Sequence, residues 1–149
     1  MYKFVLSLLI FINIAFAGGN KVIKNILPNG STILYKQTEG KGIISGTIFI
    51  KGGSIEDPEG KKGLTNILMK MLLKGSKNYS GLEISKTFED SGGGITASSS
   101  EEFATIEFSL RVSDFKKGMK IIKDILYNPT FPEDKLKQEI ENTIAQIQA

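Results

Sequence analysis

Side chains able to do chemistry are few in this 149-residue chain, and of restricted types. Histidine and cysteine are both absent, which removes imidazole and thiol chemistry together with any disulfide framework. Carboxylates remain. Glu56, Asp57 and Glu59 offer oxygen donors to a hard cation, but a solvated cluster on a polar loop accounts for them better. Glu101 and Glu102 are adjacent, and neighbours on a strand point to opposite faces, which argues against a catalytic pair. The run Gly92-Gly93-Gly94 lacks the G-x-x-x-x-G-K-[ST] context of a phosphate loop and fits a turn after a helix. One further group stands out: Asn66, Met69, Lys70 and Leu73 fall together on one face of an amphipathic stretch. Lys70 gives that face a charge for contacting a substrate, while Met and Leu suit plain packing equally well.

The bulk properties narrow the field. A chain of this length suits one domain with enough apolar content for a core. The formal charge is +3, and the lysines are spread along the chain rather than massed in a run, so nucleic acid is not indicated. Arg111 is the single arginine, which leaves little capacity for bidentate phosphate recognition. Residues 1–17 have the form of a signal peptide: Lys3, an apolar run from Phe4 to Ile14, then Ala15-Phe16-Ala17 as an A-x-A cleavage site. The run is short for a membrane span and Asn13 interrupts it. The expectation is export, with a mature domain over 18–149 that carries no stable span, and a periplasmic location if the source is a double-membraned bacterium.

The elements that must position these residues follow from periodicity. Val22–Leu27 and Thr32–Gln37 flank Pro28-Asn29-Gly30 as a β-hairpin, with Asn29-Gly30 suited to the positive φ of a tight turn. A strand over Ile43–Lys51 places Ile44, Gly46, Ile48 and Ile50 on one face. Leu64, Ile67, Leu68, Met71 and Leu72 form the apolar stripe of a helix, with Gly75 as its stop. Ser80 and Glu83 make a capping box for a helix to about Ser91 that buries Ile84 and Phe88. Strands are expected over Ile95–Ser99 and Glu102–Arg111. Ser113 is the expected cap of a helix with Phe115, Met119, Ile122 and Leu126 on its stripe, stopped by Asn128-Pro129. A last helix begins near Pro132, with Leu136, Ile140, Ile144 and Ile147 as its buried face. The order predicts an α+β domain with a mainly antiparallel sheet covered by helices. The pattern runs to Ala149 without an ending signal, so the expectation is an N-terminal portion of something longer.

Several ordered pieces resemble the insulinase/pitrilysin family of zinc metallopeptidases. Leu27-Pro28-Asn29-Gly30 is similar to its opening L-x-N-G turn, and Gly53-Ser54-Ile55-Glu56-Asp57-Pro58 to its G-S-x-x-E-x-P loop. Met71-Leu72-Leu73-Lys74-Gly75-Ser76 resembles the segment ending in K-G-[ST] after the signature motif. Phe88–Gly93 resembles the helix ending in Gly-Gly, and Asn128-Pro129-Thr130-Phe131 matches N-P-x-F. The resemblance implies the family's inverted H-x-x-E-H helix, in which two histidines bind zinc and a glutamate activates water. Asn66, Met69 and Lys70 stand in those three places. Aligning Glu139 with the leading glutamate of the final helix puts Gln146 at the third ligand; Glu139 and Glu141 also permit other registers.

A catalytic zinc site takes three protein ligands and keeps one position for water. Asn66 and Gln146 offer neutral amides, Met69 cannot take a proton from water, and Lys70 would set a positive charge against a dication. The expectation is therefore a non-catalytic member with no catalytic residues, no metal and no cofactor of its own. What the resemblance implies for partners is a homologous zinc-binding peptidase subunit, the two enclosing a chamber that holds unfolded peptide. The alternatives are a stand-alone periplasmic peptide-binding or scaffold protein and, weakest without histidine, a peptidase with its metal site elsewhere.

Overall fold

A computed structural model describes residues 22–39 and 42–148 of the chain. The signal-like segment, the expected start at Gly18 and Ala149 lie outside the described residues. The chain divides into two compact units, residues 1–41 and 42–149.

Within the first unit, β1 (Val22–Ile26) and β2 (Thr32–Lys36) pair antiparallel, from Val22 opposite Lys36 to Ile26 opposite Thr32. The turn differs from a tight Asn-Gly turn. The Gly30 N–H donates to the Leu27 carbonyl at 2.9 Å, and Gly30 takes φ +84°. Asn29 is not in the left-handed region; its carboxamide instead accepts from the Ser31 N–H at 3.1 Å. Proline fixes a negative φ just after the first turn residue, so Pro28 moves the left-handed step from the Asn-Gly pair to Gly30 alone.

The second unit is a three-stranded antiparallel sheet with helices packed on it. Its strands are β3 (Ile43–Lys51), β4 (Gly94–Ser99) and β5 (Phe103–Arg111), in the spatial order β3-β5-β4. Ile44, Gly46, Ile48 and Ile50 do lie on the inward face of β3, as their alternation predicts. Central β5 buries Ala104, Ile106 and Leu110, and on its other face Thr105 is buried against the hydroxyl of Ser98. Glu101 and Glu102 sit in the bend between β4 and β5 rather than on a strand. Their carbonyls accept from the N–H groups of Ile55 and Gly52, both at 3.0 Å.

Among the described residues there are four α-helices, two before β4 and two after β5: α1 (Leu64–Leu72), α2 (Gly81–Asp90), α3 (Phe115–Tyr127) and α4 (Glu133–Gln148). The Ser80–Glu83 capping box forms as expected, and Ile84 and Phe88 are fully buried. The glycine run is a helix stop with two distinct jobs. Gly92 takes φ +73°, and the N–H groups of Gly92 and Gly93 return to the carbonyls of Glu89 and Phe88, a Schellman motif. Gly93 also lies against the backbone of Ser109, where a Cβ would collide with its carbonyl.

Three helix faces depart from their periodicity. On α1, Leu64 and Leu68 are exposed, whereas Met69 is 2% exposed and joins Leu72 in the core. This helix packs on β4 and on α4 together, so its buried arc is displaced from the Leu64–Leu68 ridge. On α3 the buried line is Gly118, Ile121, Ile122 and Ile125, one step round from the expected stripe, and Phe115 is exposed. Asp114, not Ser113, is the residue before that helix, and its carboxylate is taken by Ser91 and Arg111 instead of the helix end. On α4 no residue is buried: Ile140 and Ile144 are exposed, and Ile147 is 79% exposed. The face turned inward carries Leu136, Glu139 and Thr143.

Candidate functional site

The resemblance places its degenerate positions on α1 and α4, and these two helices lie against each other. Lys74 Nζ reaches Glu139 Oε1 at 2.7 Å, and Lys70 Nζ donates to Thr143 Oγ1 at 3.1 Å. Stepping back four residues from Lys74 into α1 matches stepping forward four on α4, so the helices run antiparallel. Between them and the edge strand β4 opens a hollow of about 600 Å³. Lys70 lines it from α1, Leu73 and Lys74 from the turn after that helix, Ile95, Thr96 and Ala97 from β4, and Glu139, Asn142, Ala145 and Gln146 from α4.

Of the four positions, Lys70 and Gln146 meet at this hollow; Asn66 and Met69 are not in its lining. Met69 packs into the apolar core beside Leu72 and Phe88. A general base has to reach the water it activates, and a core thioether does neither part of that task. Lys70 directs N–H donors, not a lone pair, into the space where the resemblance would put a metal ligand. With neutral amides at Asn66 and Gln146, this set does not fit a zinc ion, which asks for imidazole nitrogen, thiolate or carboxylate.

Of the loop carboxylates singled out from sequence, Asp57 has structural partners. Asp57 is buried and accepts from the N–H groups of Gly63 and Thr65, at 2.7 and 2.9 Å, and from the Thr65 hydroxyl. It thereby caps the start of α1, where a negative charge complements the helix dipole. The Thr65 hydroxyl, more than any other contact, holds the Asp57 carboxyl below its ordinary range, against the opposing effect of burial. Glu56 and Glu59 are exposed beside it and take no part.

Sequence reasoning missed a second buried carboxylate. Asp124 on α3 accepts from the Ser76 hydroxyl at 2.7 Å and from the Asn78 N–H at 3.0 Å. The Asn78 and Asn128 carboxamides each donate to its other oxygen at 2.9 Å. Led by the Ser76 hydroxyl, these bonds outweigh desolvation and pull its pKa down to about 2. Asp124 thus ties the loop after α1 to the end of α3. Asn128 is four residues away, but Ser76 and Asn78 lie 48 and 46 residues off, so local periodicity does not reveal the buried cluster.

A sequence model of the insulinase family (peptidase family M16) matches residues 32–149. The chain belongs to that family. Among curated relatives it is similar to mitochondrial-processing peptidase subunit alpha-1 of Dictyostelium discoideum, 32% identical over 115 residues. That match covers 77% of this chain and 17% of the relative. An uncharacterized zinc protease of Rickettsia bellii is 29% identical over 122 residues, covering 81% of this chain and 29% of that protein. The chain therefore spans well under a third of these relatives. Further relatives are named as the alpha subunit of mitochondrial-processing peptidase of Solanum tuberosum and the beta subunit of that of Blastocladiella emersonii. Among solved structures, the inactive M16 peptidase domain of Pseudomonas fluorescens superposes with a TM-score of 0.76 at 19% identity. It covers 85% of this chain and 31% of that one. The α+β fold is thus that of the M16 domain.

Proposed function

We infer that this chain is a non-catalytic M16 subunit, or part of one, which helps enclose and hold peptide for an active zinc peptidase partner in the cell envelope. One observation carries the reading: at the second histidine position of the family motif, Lys70 presents an ammonium that is hydrogen-bonded to Thr143. The burial of Met69 at the glutamate position supports it. The subunit names of relatives favour a paired assembly. A peptide-holding role draws on β4, an edge strand beside the hollow; edge strands accept extended peptides by backbone hydrogen bonding while nearby pockets read side chains. Export rests on Lys3, the apolar run and Ala15-Phe16-Ala17.

Purification of the native protein from its source tests the assembly: a related chain carrying an intact H-x-x-E-H is expected with it. Its absence under gentle extraction would favour the stand-alone binding protein. Metal analysis with peptide hydrolysis tests the loss of catalysis. Stoichiometric zinc together with chelator-sensitive cleavage by the isolated chain would overturn it.

A further inference from the structure

The charges around the hollow between α1, β4 and α4 are unevenly matched. Lys74 has Glu139 at 2.7 Å. Lys70 has the neutral Thr143 hydroxyl, and among the described residues no carboxylate pairs with it. An ammonium has three donors, so two remain after Thr143 is served. The same hollow is lined by the apolar Leu73, Ile95, Ala97 and Ala145, and by Gln146 from α4. A half-buried cation beside an apolar wall is matched by a ligand that brings an anion and an apolar group a few bonds apart.

We propose that the hollow seats the C-terminal residue of a peptide, with its α-carboxylate on the Lys70 ammonium and its side chain against Ile95 and Leu73. This rests on the peptide-holding role inferred above. A terminal residue supplies both features at once, because its carboxylate and its side chain leave the same Cα. An internal Asp or Glu uses its side chain for the charge and leaves the wall uncovered. The family's positive centre is thus kept in altered form: a fixed organic cation replaces a metal and holds an end of the chain rather than cleaving its middle.

The test is binding of the full chain to three fluorescent decapeptides that share their first nine residues and end in leucine unless stated. One has a free carboxylate, one a C-terminal amide, and one an amide with glutamate as its last residue. Because hydrogen bonds to charged groups contribute roughly 1.5 kcal/mol or more, the free acid should bind about tenfold or more tighter than the amide. Lys70→Met should abolish that difference, and the difference should shrink with salt. The acid-versus-amide comparison uses the unaltered chain, so it stands even if the variant folds poorly. Equal binding of acid and amide, or of the glutamate peptide and the free acid, overturns the terminal subsite while leaving the peptide-holding role intact. Failure of every peptide to bind sinks that role, and this subsite with it.

Discussion

Lys74, just past the end of α1, and Glu139 on α4 stand 2.7 Å apart and tie the two helices together beside the hollow. The Glu139 side chain is 14% exposed and that of Lys74 35%, so the pair stands between a surface ion pair and a buried one. Breaking it from either side should therefore cost more than the usual surface value. Glu139→Gln and Lys74→Met are each expected to lower stability by about 1–2 kcal/mol. The double variant should lose less than the sum, since neither charge is then left alone. Urea unfolding of the four proteins measures the coupling, and strict additivity would show that the contact carries none.

Acid should loosen the chain through its depressed carboxylates. Asp124 has a folded pKa of about 2 against an ordinary 3.8, so its contribution is fully present above about pH 4. It fades as the pH drops through 2, where the folded state also takes up the proton. Asp57 and Asp114 are shifted in the same direction, led by the hydroxyls of Thr65 and Ser91. The gap in urea midpoint between the natural chain and Asp124→Asn should be flat from pH 7 to about 4 and close below that. A gap that holds steady down to pH 2 would remove Asp124 from the account.

Gly93 has no room for a methyl group, because its neighbour is the backbone of Ser109 rather than a yielding side chain. Gly93→Ala is expected to cost about 1–3 kcal/mol by overpacking. Gly92→Ala meets open space but a left-handed backbone, for about 1–2 kcal/mol. Thermal unfolding gives both values, and a harmless Gly93→Ala would refute the close approach of the turn before β4 to β5.

Adjacent residues on α1 should answer in opposite ways. Met69 is 2% exposed and Leu68 is 43% exposed. Met69→Ala should cost about 2–5 kcal/mol as a core truncation, and Leu68→Ala under about 1 kcal/mol. The reverse ranking would place the leucine ridge inward after all.

That ranking marks where the residues stopped being readable. Local signals held: Ser80 with Glu83 closed the capping box, β3 kept its alternation, and Gly92-Gly93 ended α2. Such features depend on near neighbours in the chain. Faces failed where two partners compete for one helix, as when β4 and α4 together draw Met69 inward. They failed again where a polar contact decides the packing: α4 turns Glu139 and Thr143 toward α1 and leaves Ile140 and Ile144 outside. In the candidate site, the link between Lys70 and Gln146 came from the family resemblance. The mooring of Lys70 on Thr143 and of Lys74 on Glu139 spans too much chain for any period to register.

Because α4 buries no residue fully and is fastened by two ammonium groups, ionic strength becomes a handle on one helix. Concentrated salt weakens charge pairs while leaving apolar cores sound. Amide exchange over Glu133–Gln148 should therefore quicken in molar sodium chloride well before that of β5, and a uniform response would contradict it. The hollow would then behave as a jaw with a hinged wall, whose opening answers to the surrounding electrolyte.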